Sequence, residues 1–332
     1  MALHFIIFPQ GINMKHRLVI TCSMPEGINE HISKNFDALF VHRSLSDYHQ
    51  LITLLEKHKA EGVLTGGNIE LSKQAIDKFP SSVKVISTYS AGYDNIDTVA
   101  ARARGIIVTN VPSGSTECIA DFTMMLLLCA TRRAREYHEL MQSGWGRVLG
   151  FGEMLGVRVS GKTLGILGMG KIGQELAQRA RGFNMKIIYH NRNRLPPEQE
   201  LGAKFFKNLN EMLPHCDFLS LNAPGGTGSD HIINRKSLAL LPERAILVNT
   251  ARGKLIDEDA LLEALESGRL AAAGLDVFES EPDYNQRFKG LSNLFLTPHV
   301  ASATVESRSF MVSRALDNIS AILSGKPPLN PV

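Results

Sequence analysis

A two-domain α/β chain built on parallel sheets is the fold class this sequence predicts, and three observations predict it. Short apolar runs alternate with helix- or loop-like segments through the first third of the chain. From Lys162 onward the alternation becomes regular, as strand, glycine turn, helix and strand repeat through KIIYH, FLSLNAP, AILVNTARG, AAAGLDVF and NLFLTPH. A length of 332 residues, 44% hydrophobic and 21% charged, is enough for two separate cores. Alternation of this kind implies a parallel, doubly wound sheet whose ligands sit at the carboxyl ends of the strands.

The opening MALHFIIFPQGINMKHRLVI has a short apolar run, but no basic residue precedes it and no small-residue cleavage site follows, so no signal peptide is expected. Met14 precedes KHRLVI, which reads as the first strand, with residues 1–13 as a loosely attached extension. Arg17 to Cys22, Gly62 to Thr65 and Val83 to Ser87 supply the strands of a small α/β unit. The phrase GIIVTNVPSGST ends that unit, and Pro112 and Gly114 punctuate the chain before a helical run from Glu117 to Glu139. Within that run FTMMLLLCA is bounded by Asp121 and Arg132, well short of the ~18 uncharged residues a membrane helix needs, and is expected to be a buried helix. The segment Val305 to Ser324 carries Phe310, Ala315, Ile319 and Ile322 at helical spacing, as a C-terminal helix returning to the first domain would.

The formal net charge is +3, from 36 basic and 33 acidic residues, too small to argue for a nucleic acid or a membrane as partner. The four cysteines, Cys22, Cys118, Cys129 and Cys216, form no C-x-x-C pair, so neither a zinc ribbon nor a disulfide framework is suggested and a reducing cytoplasm is the simplest home. Cys118 and Cys129 are expected to act as small hydrophobes on an apolar helix. No histidine or carboxylate cluster has metal-ligand spacing, and no metal is expected.

The most informative stretch is GILGMGKIG, an apolar strand running into Gly168, Gly170 and Gly173 at the spacing G-x-G-x-x-G. In a Rossmann-type fold the first glycine makes the tight turn, the second lets the backbone approach a pyrophosphate, and the third lets helix pack on strand. An acidic residue is then expected about 20 positions on, to bind the adenine ribose. This chain has YHNRNR there, with Asn191, Arg192 and Arg194. A carboxylate would repel the extra phosphate of NADP, whereas Asn191 can donate to it and the two guanidiniums can form charge-assisted bonds. Such bonds contribute about 1.5–3 kcal/mol each, so losing one is expected to weaken NADPH binding roughly 10- to 100-fold. NADP is therefore the expected cofactor, with NAD possible. An arginine pair after a strand is more often a solvated loop, and only its offset from Gly173 favours the phosphate reading.

Three polar residues of complementary type stand at later strand ends: Arg252 in NTARG, Glu281 in FESEP and His299 in TPH. Hydride transfer to a 2-oxo acid places negative charge on the carbonyl oxygen, which needs a proton donor and a cation. Histidine suits the first task and the arginine fork suits a substrate carboxylate. The expectation is a general acid His299, oriented by Glu281, beside an anchor Arg252. His190 is as readily a surface residue as an adenosine contact, and His231 has no partner in the sequence and reads as structural.

GMGKIG, the stretch from LVNTARG to GLDVFESEP, the TPHVASAT ending and the earlier STYSAGYDNID together resemble the D-isomer-specific 2-hydroxyacid dehydrogenase family, from about Leu18 to the C-terminus. Within it, GMGKIG, HNRNRLP and APGG are most similar to the glyoxylate/hydroxypyruvate reductases. The resemblance implies Arg252, Glu281 and His299 in the roles just argued, and backbone amides of Ala91 and Gly92 as substrate-carboxylate ligands. It implies cofactor contacts from Gly168, Met169, Gly170, Lys171, Ile172 and Gly173, from Thr116, and from Ala223, Pro224 and Thr250 at strand ends. Asp276, in GLDVF, falls on an aspartate that contacts the nicotinamide carboxamide. It further implies a flavodoxin-like substrate domain made of residues 1–112 and 300–332, a Rossmann NAD(P)-binding domain of residues 113–299, and a homodimer to which the apolar helix Glu117 to Arg132 contributes. Two departures bear on the substrate: Ala91 stands where valine is common, and Val148 where some relatives carry a second tryptophan, leaving Trp145 as the single indole. The expected reaction is reduction of glyoxylate or hydroxypyruvate to a D-2-hydroxy acid. A 2-ketogluconate reductase and a non-catalytic dinucleotide sensor are the alternatives.

Overall fold

The computed structural model describes residues 15–332 except 25–26, 42–44 and 227, so the reading of residues 1–13 as an extension lies outside the described residues. The chain forms two compact units, one from the described residues up to Ser113 together with Arg308–Val332, the other from Gly114–Ser307.

In the first unit five strands, β1 (Arg17–Ile20), β2 (Asp37–Phe40), β3 (Gly62–Thr65), β4 (Val85–Thr88) and β5 (Ile107–Thr109), lie parallel in the order β2-β1-β3-β4-β5. This is the 2-1-3-4-5 order of the flavodoxin-like fold. Every residue of β3 and β4 is buried, as helices on both faces of a parallel sheet require. Four helices connect the strands: α1 (Ile28–Asn35), α2 (Tyr48–His58), α3 (Lys73–Ile76) and α4 (Thr98–Ala103). Asp47 and Asp97 cap α2 and α4 by accepting backbone N–H bonds. β2 was not expected from the sequence; its Asp37 is exposed and its other residues are half-buried, so it lacks the apolar run that marks β3 and β4.

The second unit begins with α5 (Thr116–Thr131) and α6 (Ala134–Gln142). The single helical run expected from Glu117 to Glu139 is therefore two helices. Arg133 adopts a left-handed backbone, φ +54°, which ends one helix and starts the next. The apolar core of α5 is buried against α7 (Lys171–Gly182) and the sheet. Among the described residues no helix is long and apolar enough to cross a membrane.

Seven parallel strands follow: β6 (Thr163–Leu167), β7 (Lys186–His190), β8 (Lys204–Phe206), β9 (Phe218–Leu221), β10 (Ala245–Asn249), β11 (Leu270–Leu275) and β12 (Leu294–Leu296). Their order is β12-β11-β10-β9-β6-β7-β8, so the chain winds outward from β6 in both directions. That reversal point, at the carboxyl ends of β6 and β9, is where doubly wound sheets bind ligands. The connections carry α8 (Pro197–Glu200), α9 (Leu209–Met212), α10 (Arg235–Leu240) and α11 (Glu258–Glu266).

The last helix, α12 (Val305–Leu323), buries Met311, Val312, Ala315, Leu316 and Ile319 with Leu18, Ile20, Leu64 and Val85 of the first sheet. Phe310, expected on the buried face, is exposed, one position off the stripe that Met311, Ala315 and Ile319 define. Residues 300–307 cluster with the second unit instead of the first. Asp276 accepts the N–H groups of Val300 and Ala301, and Ser307 donates to Gly114 O at 2.8 Å, which ties that segment down.

Candidate active site

The glycine turn is built as its spacing requires. Gly168 has a left-handed φ of +99°, and a Cβ there would lie 2.5 Å from the nitrogen of Ala223. A Cβ at Gly173 would lie 2.4 Å from the carbonyl oxygen of Gly168, so only glycine lets α7 sit this close to β6. At Gly170 a Cβ would meet nothing within 4 Å, so that face is open in front of the α7 N-terminus. The first turn of α7 carries no acidic residue. An open glycine face before a free helix N-terminus fits a pyrophosphate. Lys171 is exposed and Ile172 half-buried at the same helix start, whereas Met169 is buried beneath the turn. Ala223 and Pro224 follow β9, beside the turn, and Thr116 is the first residue of α5.

The loop after β7 is more constrained than its sequence suggests. Asn191 Oδ1 accepts the Met169 N–H at 2.7 Å, which leaves the amide N–H₂ as its outward group. Arg192 is exposed. Arg194, expected to hold a phosphate, commits one edge of its guanidinium elsewhere: Nε and Nη2 donate to Glu200 at 2.8 and 3.0 Å. His190 Nδ1 sits 2.9 Å from the Phe206 carbonyl oxygen, which gives this histidine a structural partner across the β7–β8 pair.

At the other strand ends, three sequence-distant residues are positioned by a shared set of backbone contacts. His299 follows β12, and its Nδ1 lies 2.7 Å from Glu281 Oε2. The other Glu281 oxygen accepts the N–H of Phe278 at 2.9 Å. Burial pushes the Glu281 carboxyl up, but the bond from His299, attraction to His299 and Arg252, and the Phe278 bond outweigh it and hold it below the usual carboxylate value. With Nδ1 turned to a carboxylate, Nε2 is the ring nitrogen on the side away from Glu281, and the side chain is 54% exposed.

Asp276 has a task the sequence did not reveal. Its fully buried carboxylate accepts the Thr297 hydroxyl at 2.7 Å and the N–H groups of Val300 and Ala301 at 2.8 Å each. Its carbonyl also accepts the His299 N–H at 2.8 Å. These four bonds fix the loop that carries His299, whose own backbone is left-handed at φ +54°. Of roughly four lone-pair sites on a carboxylate, three are thereby filled.

The turn bearing Arg252 is held by Asn249, the fully buried last residue of β10, which the sequence reading passed over. Its Oδ1 accepts the Ala251 N–H at 2.9 Å and its Nδ2 donates to the Arg252 carbonyl at 2.8 Å. An asparagine at a strand end is the signal that finds it, since such residues bond their own backbone two positions on. Thr250 bonds Thr123 of α5 at 2.8 Å between hydroxyls, so that strand end is pinned to the helix. Gly253 is equally necessary: a Cβ there would lie 1.8 Å from the carbonyl carbon of Phe278. The backbone leading to Glu281 thus crosses directly over the residue after Arg252. In the first unit the Ala91–Gly92 turn follows β4; Ser90 Oγ donates to the Gly92 carbonyl at 2.7 Å and Asn110 Nδ2 to the Ala91 carbonyl at 2.8 Å. Both bonds take carbonyls, so the turn's amides are not consumed by them. His231, read as unpartnered, is 2.7 Å from Glu279.

An imidazole backed by a carboxylate, on a sheet whose glycine turn takes a dinucleotide, suits proton delivery to an oxygen that gains charge as a hydride arrives. The class so defined is the oxidoreductases that use NAD or NADP. Comparison with known proteins narrows it. Residues 124–301 match the NAD binding domain of the D-isomer specific 2-hydroxyacid dehydrogenases. The chain is 38% identical to a glycerate dehydrogenase of Hyphomicrobium methylovorum, across 94% of this chain and 97% of that one. It is 42% identical to a glyoxylate reductase of Thermococcus litoralis, across 83% and 85%. The crystal structure of an NADPH-dependent glyoxylate/hydroxypyruvate reductase from Sinorhizobium meliloti, in complex with NADP and malonate, superposes with a TM-score of 0.84 at 31% identity, covering 96% of this chain and 97% of that one. This chain belongs to the D-isomer specific 2-hydroxyacid dehydrogenase family and is a nicotinamide-dependent oxidoreductase.

Proposed function

We propose that the protein reduces small 2-oxo acids, glyoxylate and hydroxypyruvate foremost, to D-2-hydroxy acids, with NADPH preferred over NADH. The observation that carries this reading is the 2.7 Å contact between His299 and Glu281 beside the Arg252 turn. Bound nicotinamide supplies the hydride. His299 Nε2 gives a proton to the carbonyl oxygen, and the Glu281 carboxylate orients the ring. Arg252 anchors the substrate carboxylate in the second unit, and the amides of Ala91 and Gly92 are the substrate-binding groups that this reading assigns to the first unit. Residues 1–112 and the C-terminal helix form the substrate domain in this reading, and the glycine-turn unit holds the cofactor. The cofactor contacts are Gly168 to Gly173, Thr116, Asn191, Arg192, Arg194, Ala223, Pro224 and Thr250, with the remaining Asp276 lone pair for the carboxamide.

The relatives' names support glyoxylate as substrate, and the NADPH-dependent S. meliloti structure supports the coenzyme. The free cysteines accord with a reducing cytoplasm. A homodimer is part of the reading. Met141, Trp145, Val148, Phe151 and Leu155 are all at least half exposed on the segment from α6 to β6, and Met125 and Phe183 add to the apolar surface of α5 and α7. Apolar surface of this extent marks an association face, here for a second copy.

Steady-state oxidation of NADPH and NADH with glyoxylate, hydroxypyruvate and 2-ketogluconate tests the proposal. One small 2-oxo acid turned over best with NADPH is the expected result. A best rate with 2-ketogluconate, or equal use of NADH, refutes the corresponding part. Sedimentation of wild type and of Val148→Asp/Phe151→Asp tests the assembly: a dimer and a monomer, respectively, are expected.

A further inference from the structure

Glu200 is the residue whose environment asks for an explanation beyond the reaction itself. It ends α8 and is 7% exposed, and Asp276 is the other buried acidic residue among those described. Its Oε1 accepts from the Tyr189 hydroxyl at 2.7 Å and from Arg194 Nε at 2.8 Å, and its Oε2 accepts from Arg194 Nη2 at 3.0 Å. The Tyr189 hydroxyl in turn accepts the Leu195 N–H at 3.1 Å, so its proton points at Glu200. Tyr189 is fully buried in β7 with its ring 5.2 Å from that of Phe205, and the Arg194 guanidinium lies 6.0 Å from the same Phe205 ring. Arg181 adds a bond to the Glu200 carbonyl at 3.3 Å.

This scaffold fixes one edge of Arg194 while its side chain stays 62% exposed. Exposure leaves the rest of the guanidinium open to water or to an anionic ligand. Two further features bear on the choice. Nη1 takes no part in the Glu200 pair and remains a donor, and Arg194 lies three residues beyond Asn191, whose Oδ1 is taken and whose amide N–H₂ is also a donor. The Arg194 and Tyr189 bonds hold the Glu200 carboxyl down at about 2, so the anchor stays charged throughout the working pH range.

We propose that Glu200, oriented by Tyr189, is a positioning residue for coenzyme selection: it pre-orders Arg194 so that the outward Nη1 edge meets the 2′-phosphate of the adenosine ribose. The inference rests on the NADPH reading above. Its physical basis is entropy. A free arginine must give up its rotamer freedom on binding a phosphate, whereas one already held by a carboxylate has lost that freedom in the free protein.

The test is calorimetric titration of the whole protein with 2′,5′-ADP and with 5′-ADP, for wild type, Glu200→Gln, Tyr189→Phe, Arg194→Ala and Arg192→Ala. Wild type is expected to prefer 2′,5′-ADP. Glu200→Gln and Tyr189→Phe are expected to weaken 2′,5′-ADP about 5- to 10-fold, with 5′-ADP unchanged within about twofold. Tyr189→Phe removes one hydroxyl and keeps the test available if Glu200→Gln folds poorly. Parallel weakening of both nucleotides would overturn the inference, because Glu200 would then be structural. Full affinity in Glu200→Gln with loss in Arg192→Ala would overturn it too, while leaving the NADPH reading intact. Equal wild-type affinity for the two nucleotides would overturn the NADPH reading itself and the inference with it.

Discussion

Replacing Asp276 by asparagine isolates the contribution of one carboxylate to the geometry of the reaction. The substitution is nearly isosteric, so it opens no cavity, and its effect comes from hydrogen bonding alone. Asparagine keeps one oxygen for the Thr297 hydroxyl and the Val300 N–H, now as neutral bonds worth about 0.5–1.5 kcal/mol each in place of about 1.5–3. Its amide N–H₂ then faces the Ala301 N–H, which donates to Asp276 Oδ2 at 2.8 Å, so a buried donor meets a donor. Turning the amide over sets it against the Val300 N–H instead, since the Thr297 hydroxyl can turn to accept. The sum is about 3–6 kcal/mol, which for a unit the size of Gly114–Ser307 lowers Tm by roughly 6–24 °C. Because the same bonds hold His299, a displacement of about 1 Å should also cost about 100-fold in kcat/KM. Differential scanning calorimetry and steady-state kinetics measure both. If Asp276→Asn melts within about 2 °C of wild type and loses only coenzyme affinity, the carboxylate serves the cofactor and does not hold the loop.

Gly253→Ala should reduce kcat/KM by about 100-fold or more, since its Cβ would sit 1.8 Å from Phe278 and must push the Arg252 and Glu281 backbones apart; kinetics of the soluble fraction checks this. Glu281→Gln should lower kcat/KM for reduction by about tenfold or more, because a neutral amide orients the His299 ring less firmly than the carboxylate 2.7 Å from its Nδ1; steady-state kinetics checks this. The folded Glu281 carboxyl lies below its ordinary value, so its stabilisation is complete above about pH 4.3 and is lost as pH falls through the lowered value. The Tm gap between wild type and Glu281→Gln should therefore narrow as pH falls below about 4, as thermal melts across that range will show. Asn191→Asp retains an acceptor for Met169 N–H but brings negative charge to the ribose; it should weaken NADPH at least about tenfold while sparing NADH, measured by KM for each.

What the sequence made legible was set by local chemistry. Gly168, Gly170 and Gly173 are spaced by the geometry of one strand–turn–helix unit, so their roles can be read without knowing the rest of the chain. The buried strands β3, β4 and β10 announce themselves as apolar runs. β2 and β8 do not, because edge strands are short and only partly covered. His299, Glu281 and Arg252 were visible as residue types at strand ends, yet the bonds that place them come from Asn249, Asp276 and the Gly253 crossing. The Asn249 bonds are local, two and three positions on, and were passed over; the Asp276 and Gly253 contacts join segments more than twenty residues apart and leave no spacing to read. Arg194 shows the opposite case, in which a local reading as a free cation met Glu200, a partner six residues on whose burial only the folded unit reveals.

The crossing at Gly253 also limits how this scaffold can be re-engineered. A loop exchange that lengthens or reshapes residues 278–282 changes what rests on the bare backbone at 253, and so moves Arg252 along with the Glu281 carboxylate. Segments 249–253 and 276–282 therefore behave as one transplantable cassette. A library that diversifies either segment alone will return variants whose losses come from the untouched half.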